Sequence, residues 1–281
     1  MEPKELVKYL ERKALRLRYD ILEMVGVGRA GHLGGSSSCA EIVATLYFHW
    51  MNINPKNPND PERDRFLLSK GHAALVQYAA LAELGYFPFD ELKKVKMLGS
   101  MLQGHPDMKG TPGVDMTTGS LGQGISAACG MALSGKISNE DYKVYAILGD
   151  GELEEGQVWE AAMFAAHYNL DNLIAIIDNN GLQIDGKVTE VCSPEPITDK
   201  FESFGWYVIT MDAHNFDDIE RAFDEVEKIS GKPVAIVQKS IKGKGVSFME
   251  NQVSWHGQAP NEEQYKQAML ELSEQLKGLE G

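Results

Sequence analysis

The sequence predicts a three-layer α/β/α domain built around a mainly parallel sheet. Two apolar runs, residues 144–148 and 173–177, have the composition of strands that are buried on both faces. Between them, residues 156–168 carry apolar side chains at helical spacing. A right-handed crossover makes the two strands parallel, so their carboxyl ends share one edge of the sheet. In open α/β sheets, that edge is where ligands bind.

The rest of the chain continues this alternation of strands and helices. Further strands are predicted at residues 65–68, 206–210 and 233–238. Helices are predicted at residues 3–27, 73–84, 87–98, 123–134, 199–204, 217–229 and 261–276. Polar or glycine-rich segments at residues 52–65, 99–118, 186–198 and 240–260 are predicted loops. Because no repeat or linker divides the chain, residues 1–281 are expected to form a single domain.

Composition excludes several classes of partner. The chain has 281 residues, with 41 acidic against 27 basic side chains and a net charge of −14. That balance argues against nucleic acid or an anionic membrane as a partner. The three cysteines are widely spaced and indicate core thiols rather than disulfides or a zinc site. A charged amino-terminal segment and the lack of a long apolar run lead us to expect a cytoplasmic protein.

Oxygen-bearing groups follow both central strands. Asp150 comes directly after the first strand and Asn180 after the second, so we expect them to lie close together. One carboxylate, one amide and the carbonyl of Leu182 are suitable ligands for a Mg²⁺ ion that carries a diphosphate. The glycines that flank Asp150 would let a phosphate approach the backbone. The alternative is an ordinary doubly wound sheet whose turns contain Gly, Asp and Asn.

Several motifs, taken together, resemble those of the transketolase family, in its order and at close to its spacing. They are Gly31-His32, Lys70-Gly71-His72, Gly104-His105-Pro106, the run TTGSLGQG at residues 117–124, GDGELEEGQVWEA at 149–161, IIDNNGLQIDG at 176–186 and Trp255-His256-Gly257. The resemblance covers essentially the whole chain but only the amino-terminal domain of the family, which binds the diphosphate of thiamine diphosphate. Leu33 stands where the family commonly has proline. The KGKG run at residues 242–245 is also similar to deoxyxylulose-phosphate synthase.

The resemblance implies roles for individual residues. The metal, Mg²⁺ with Ca²⁺ or Mn²⁺ as substitutes, would be held by Asp150, Asn180 and the Leu182 carbonyl. The cofactor, thiamine diphosphate, would be contacted by His72, Gly119, Leu121, Gly149, Asp150, Gly151, Glu155, Asn180 and His256. The catalytic residues would be His32, His72, His105, His256 and Glu155. Imidazole suits this work because its unperturbed pKa is near 6.5, so it moves protons near neutral pH.

The resemblance also implies a partner and a reaction. This chain would be the amino-terminal subunit of a split transketolase and would be inactive without a second subunit that carries the pyrimidine-binding domain. An α₂β₂ assembly is expected, acting on sugar phosphates of the pentose phosphate pathway. It would transfer a two-carbon ketol group from a ketose phosphate to an aldose phosphate. The alternatives are a subunit of another thiamine diphosphate enzyme, deoxyxylulose-phosphate synthase-like or ketoacid-using, and a non-catalytic cofactor-binding remnant.

Overall fold

A five-stranded parallel sheet forms the centre of the fold in the computed structural model, which describes residues 2–279. Its strand order is β1-β2-β3-β7-β6, and a separate antiparallel hairpin joins β4 to β5. The strands are β1 (Arg65–Leu68), β2 (Val144–Gly149), β3 (Leu173–Asn179), β4 (Leu182–Gln183), β5 (Gly186–Lys187), β6 (Tyr207–Asp212) and β7 (Val234–Lys239). The prediction of a mainly parallel sheet is therefore confirmed.

Helices cover both faces of this sheet. They are α1 (Pro3–Val25), α2 (Leu33–Ser37), α3 (Ala40–Thr45), α4 (Ala74–Leu84), α5 (Gln123–Ser138), α6 (Gly156–His167), α7 (Val188–Val191), α8 (Ile197–Ser203), α9 (Phe216–Val226) and α10 (Glu262–Gly278). Shorter turns of 3₁₀ helix occur at Gly71–Ala73, Phe89–Lys94, Gly151–Glu154 and Val253–His256, and a π turn at Leu46–Trp50. Within residues 2–279, none of the helices has the length and apolar character that crossing a bilayer requires.

Alternate side chains of the strands divide the core into two halves. Tyr145 and Ile147 of β2 pack into the larger half with α1, α3, α4 and α9. Ala146 and Leu148 of the same strand point to the opposite face and pack with α5, α6 and α8. Since successive side chains of a strand point to opposite faces, a run that is apolar at every position must be covered on both sides. The three-layer α/β/α fold is thus confirmed.

Helix boundaries follow local chemistry. Pro3 occupies the first turn of α1, and Gly26, with φ of +59°, ends it. At α10, the Asn261 side chain accepts a hydrogen bond from the Gln264 backbone N–H, and the Gln264 side chain accepts one from the Asn261 backbone N–H. This reciprocal capping box satisfies two amide donors at the helix start.

Some sequence predictions were wrong in detail. Residues 186–198, predicted to be a loop, contain β5 and α7. The helix predicted at residues 87–98 is a single 3₁₀ segment, Phe89–Lys94. Cys39 and Cys129 are buried as expected, whereas Cys192 is exposed. Two-residue strands and single turns are too short to produce a periodic pattern, which explains why the sequence did not reveal them.

The register of the sheet brings the metal-ligand candidates together. Gly149 of β2 lies opposite Asp178 of β3. Asp150 and Asn180 each follow their strand directly, at the carboxyl edge of the sheet. The strand pairing therefore fixes the relative position of the two loops that hold these side chains.

Candidate active site

A cavity of about 270 Å³ opens at the carboxyl edge of β2 and β3. Apart from Glu155, every residue predicted to bind cofactor, bind metal or act in catalysis lines it, namely His32, His72, His105, Gly119, Leu121, Gly149, Asp150, Gly151, Asn180, Leu182 and His256. Two lysines, Lys70 and Lys242, and the carboxylate of Glu152 also contribute to the wall. Segments from both ends of the chain therefore meet in one cavity.

Hydrogen bonds hold the predicted metal ligands in adjoining loops. The backbone N–H of Gly181, between Asn180 and Leu182, donates to Asp150 Oδ2 at 2.5 Å. The N–H of Gly151 donates to Asp150 Oδ1 at 2.8 Å. The N–H of Leu182 donates to Asn180 Oδ1 at 3.2 Å. These bonds place one carboxylate, one amide oxygen and one backbone carbonyl side by side at the cavity wall.

The chemistry of this oxygen set fits a hard divalent cation. Asp150 is 2% exposed, and burial, aided by the Asp178 carboxylate, raises its pKa to about 6. Among the described residues, no lysine or arginine forms an ion pair with Asp150. Nor does that part of the chain contain a cluster of three His, Cys, Asp or Glu side chains that could hold a metal. A buried carboxylate with an amide and a carbonyl instead matches the all-oxygen ligands that Mg²⁺ prefers.

The glycine backbone beside these ligands leaves room for a phosphate. A Cβ atom built on Gly149 would have no heavy atom nearer than 3.8 Å. Protein packing therefore does not require glycine at this position, whereas close approach of a ligand to the backbone would. Gly119, across the cavity, has φ of +151°, and a Cβ there would lie 3.1 Å from His105 Cδ2. Glycine at that position lets the loop pass close to the imidazole.

Four histidines form a cluster in this cavity. Ring centroids are 5.1 Å apart for His32 and His72, 5.3 Å for His32 and His256, and 5.1 Å for His72 and His256. His105 lies 6.3 Å from His32. The buried Nδ1 of His32 has no hydrogen-bond partner within the described protein. The cluster thus presents free hydrogen-bonding capacity to whatever occupies the cavity.

Burial keeps these imidazoles neutral. It lowers the pKa of His32 to about 4, that of His256 to about 3 and that of His72 to about 2, with nearby lysines adding to each shift. The pKa of His105 is also lowered, again mainly by burial. A neutral imidazole has one nitrogen that donates and one that accepts. At pH 7 the cluster can therefore both donate to and accept from hydroxyl groups.

A buried network around Asp178 was missed by the sequence reasoning. The Lys70 ammonium donates to Asp178 Oδ2 and, at 2.7 Å, to the Gly35 carbonyl. Ser38 Oγ donates to Asp178 Oδ2 at 2.6 Å, and Ser240 Oγ donates to Oδ1. Asn180 Nδ2 donates to Asp178 Oδ2 at 3.2 Å, so the network reaches a predicted metal ligand. The available signal was an aspartate inside an otherwise apolar strand, which is costly unless it is paired.

Glu152 is a second residue that the sequence reasoning missed. Its carboxylate accepts from the Ser69 hydroxyl, from the Gly122 N–H at 2.9 Å and from the Gly149 N–H at 3.0 Å. Burial raises its pKa, although these donors favour the charged form. Glu152 thereby ties the loop before α5 to the turn after β2. It shapes two walls of the cavity from one buried position.

Lys242 lies between the metal-ligand loop and the histidines. Its ammonium donates to the Leu182 carbonyl at 2.9 Å and contacts His256 Nδ1 at 2.8 Å. Since an ammonium can only donate, His256 Nδ1 is the acceptor, and the neutral ring carries its proton on Nε2. Glu155, in contrast, is exposed at the start of α6 and does not line the cavity.

Comparison with protein families decides the relationship of the chain. Residues 11–275 match the family model described as transketolase, thiamine diphosphate binding domain. The chain belongs to the transketolase family. It corresponds to the family's amino-terminal portion, as the motifs predicted.

Two similar transketolase relatives are proteins of about the same extent as this chain. The 6-deoxy-6-sulfo-D-fructose transketolase subunit SqwG of Clostridium sp. (strain MSTE9) is 48% identical over 266 residues, which cover 95% of this chain and 97% of that protein. One of the subunits of the apulose-4-phosphate transketolase from Phocaeicola vulgatus is 41% identical over 274 residues, covering 98% and 97%. Human transketolase is 40% identical over 268 residues, which are 95% of this chain but 42% of the human protein.

A solved transketolase structure has the same fold. The Campylobacter jejuni enzyme superimposes with a TM-score of 0.89 at 34% identity, covering 94% of this chain and 43% of that one. The predictions of the family, of the fold and of an enzyme that belongs with ketol transferases are confirmed by these comparisons.

Proposed function

We propose that this chain is the cofactor-diphosphate subunit of a two-chain transketolase. Together with a partner chain, it transfers a two-carbon ketol group from a ketose phosphate to an aldose phosphate. The observation that carries the proposal is the meeting of Asp150, the Asn180 amide and the Leu182 carbonyl in a cavity that also holds the four neutral histidines. Relatives named as transketolase subunits match this chain over nearly their whole length, which supports it.

Asp150, Asn180 and the Leu182 carbonyl would hold Mg²⁺, with Ca²⁺ or Mn²⁺ as substitutes. Their arrangement supports this role because one carboxylate and two neutral oxygens leave a dication with net positive charge for a diphosphate. Bound here, thiamine diphosphate would supply the electron sink that allows a carbon–carbon bond of the ketose to break.

The remaining wall residues would bind and orient the cofactor. Gly149 and Gly151 give a diphosphate access to backbone near the metal ligands, and His72 faces the same space. Gly119 and Leu121, on the opposite side of the cavity, would line the thiazolium end. The Lys242 ammonium adds positive charge beside the metal-ligand loop, as a polyanion requires.

The histidine cluster would handle the hydroxyl groups and protons of the sugar. Neutral His32, His72 and His105 can each accept a proton from a hydroxyl group or donate to its oxygen. At His256, Lys242 holds Nδ1, so the Nε2 proton is available to a substrate oxygen. These roles need no charged imidazole at neutral pH.

An exposed apolar surface on α6 supports a partner chain. Met163, Phe164 and Tyr168 are 52%, 37% and 47% exposed, and the rings of Phe164 and Tyr168 lie 4.6 Å apart. Contiguous exposed apolar side chains commonly mark protein interfaces. Glu155, at the start of the same helix, would then face the partner's pyrimidine-binding domain in an α₂β₂ assembly and complete the cofactor site.

The test is co-expression with a candidate pyrimidine-binding subunit, followed by a cofactor-dependent transfer assay. Xylulose 5-phosphate should serve as donor with ribose 5-phosphate as acceptor, and 6-deoxy-6-sulfo-D-fructose should be assayed beside it because of the relative named for that sugar. Neither chain should turn over by itself. Activity on ketoacids alone would support the other thiamine diphosphate enzymes, and a complex without any turnover would support a non-catalytic remnant.

A further inference from the structure

Lys242 shares a ligand with the proposed metal. Its ammonium donates to the Leu182 carbonyl at 2.9 Å, and that carbonyl is one of the three oxygens assigned to the cation. A Mg²⁺ ion binds oxygen at about 2.0–2.1 Å. Two cations on the same oxygen would therefore lie within about 5 Å of one another and repel each other.

The lysine has little freedom to withdraw. Lys242 is 2% exposed, and a Cβ built on Gly34 would lie 2.9 Å from Lys242 Cγ, which shows how tightly the aliphatic stem packs against α2. Its backbone is also anchored, since the Gly243 N–H donates to the Gly34 carbonyl at 3.0 Å and the Asn251 N–H to the Lys242 carbonyl at 2.9 Å. Only the far end of the side chain can be repositioned.

From this geometry we infer that Lys242 acts against binding of a divalent cation by itself and couples metal binding to binding of the diphosphate. The inference rests on the proposed function. A diphosphate supplies the negative charge that both cations need, so its arrival converts mutual repulsion into shared attraction. By thermodynamic linkage, the metal must then strengthen diphosphate binding by the same factor as the diphosphate strengthens metal binding.

This role can be separated from a merely structural one because it predicts changes of opposite sign. Removing the charge in Lys242→Met should tighten binding of Mn²⁺ alone by about 10-fold, within the usual range of coupling between sites. The same change should weaken binding of thiamine diphosphate at saturating Mn²⁺ by at least about 10-fold. A damaged site would weaken both. Lys242→Gln, which also removes the charge, provides a second variant should the first fold poorly.

The experiment is titration of the full chain with Mn²⁺, with and without thiamine diphosphate, reading free Mn²⁺ by its electron paramagnetic resonance signal. Lys244→Met is the matched control, because Lys244 belongs to the same segment but pairs with Glu250 at 3.3 Å outside the cavity. It should leave both affinities unchanged. Lys242→Arg, which keeps the charge, should retain weak binding of Mn²⁺ alone.

The outcomes distinguish the inference from the function on which it rests. Unchanged or weaker binding of Mn²⁺ alone by Lys242→Met and Lys242→Gln, with normal metal-dependent cofactor binding by the wild type, would overturn the inference and leave the proposed function standing. Failure of the wild-type chain to bind thiamine diphosphate at any Mn²⁺ concentration would overturn both.

Discussion

The ammonium of Lys70 and the carboxylate of Asp178 form an ion pair whose side chains are 2% and 0% exposed. The pair links the turn after β1 to the end of β3 and lies directly behind the metal-ligand loop. Its charges hold the pKa of Asp178 at about 2, despite the opposing effect of burial, and raise that of Lys70. Two loops that line the cavity are thus joined by a charge pair that water does not reach.

Breaking this pair should destabilise the protein strongly. Lys70→Met and Asp178→Asn are each expected to lower the free energy of unfolding by about 3–5 kcal/mol, because each leaves the other charge buried without its partner. The double variant should lose at least about 1 kcal/mol less than the sum of the two. Urea unfolding of all four proteins gives the cycle. The exposed pair of Lys93 and Asp90 is the control, and Lys93→Met should leave stability unchanged. Additive losses would mean that the two charges act independently.

Removing the carboxylate proposed as a metal ligand should abolish cofactor binding without unfolding the chain. Asp150→Ala is expected to lower the affinity for thiamine diphosphate at fixed Mg²⁺ by about 100-fold or more, measured by isothermal titration calorimetry. The far-ultraviolet circular dichroism spectrum should not change. Asp141→Ala, at an exposed position before β2, is the control and should bind normally. Undiminished affinity in Asp150→Ala would remove the carboxylate from the metal site.

Acid should destabilise the fold through His72. Its pKa is lowered to about 2 in the folded chain, mainly by burial, against about 6.5 when unfolded. Below pH 6.5 the unfolded chain therefore binds more protons than the folded one, and the free energy of unfolding falls with falling pH. This contribution is complete above pH 6.5 and declines by about 2 kcal/mol between pH 6.5 and 5.

The measurement is urea unfolding across that pH window for wild type, His72→Gln and His167→Gln. His72→Gln should flatten the dependence, while the exposed His167 serves as control and should preserve it. A pH dependence that is the same in all three proteins would show that His72 titrates normally in the folded chain.

Two glycines of α5 should respond oppositely to alanine. A Cβ on Gly124 would lie 2.5 Å from Ser69 Oγ and 2.7 Å from Ser69 Cα, whereas one on Gly130 would meet nothing within 4 Å. Gly124→Ala is thus expected to cost about 1–3 kcal/mol through overpacking. Gly130→Ala should stabilise the helix by about 0.5–1 kcal/mol, because alanine has the higher helix propensity. Thermal unfolding distinguishes them, and equal shifts of both midpoints would refute close packing at Gly124.

The parts of the fold that the sequence predicted well have strong local signals. β2 and β3 are apolar at nearly every position, so their burial, their parallel pairing and the position of Asp150 beside Asn180 all followed from pattern and handedness. The candidate site residues were reached differently. The resemblance to a family supplied His32, His105 and His256, because no local pattern shows that turns so distant in sequence converge.

What the sequence did not predict depends on contacts between distant segments. Lys70, Glu152 and Lys242 all lie within or next to recognisable motifs, yet their partners belong to other loops. A charged residue in sequence gives no indication of whether it will be buried and paired or left in water. The β4–β5 hairpin was missed because strands of two residues carry no periodicity.

The cavity draws on residues that the ribosome makes far apart in time. His32 belongs to the first segments to emerge, whereas His256 emerges when the chain is nearly finished, and their rings end 5.3 Å apart. Nascent chains lacking the late loop have no complete pocket, so ligand cannot stabilise them during synthesis. Supplementation with the vitamin precursor of the cofactor should therefore protect finished molecules from proteolysis, without rescuing variants that misfold while still being translated.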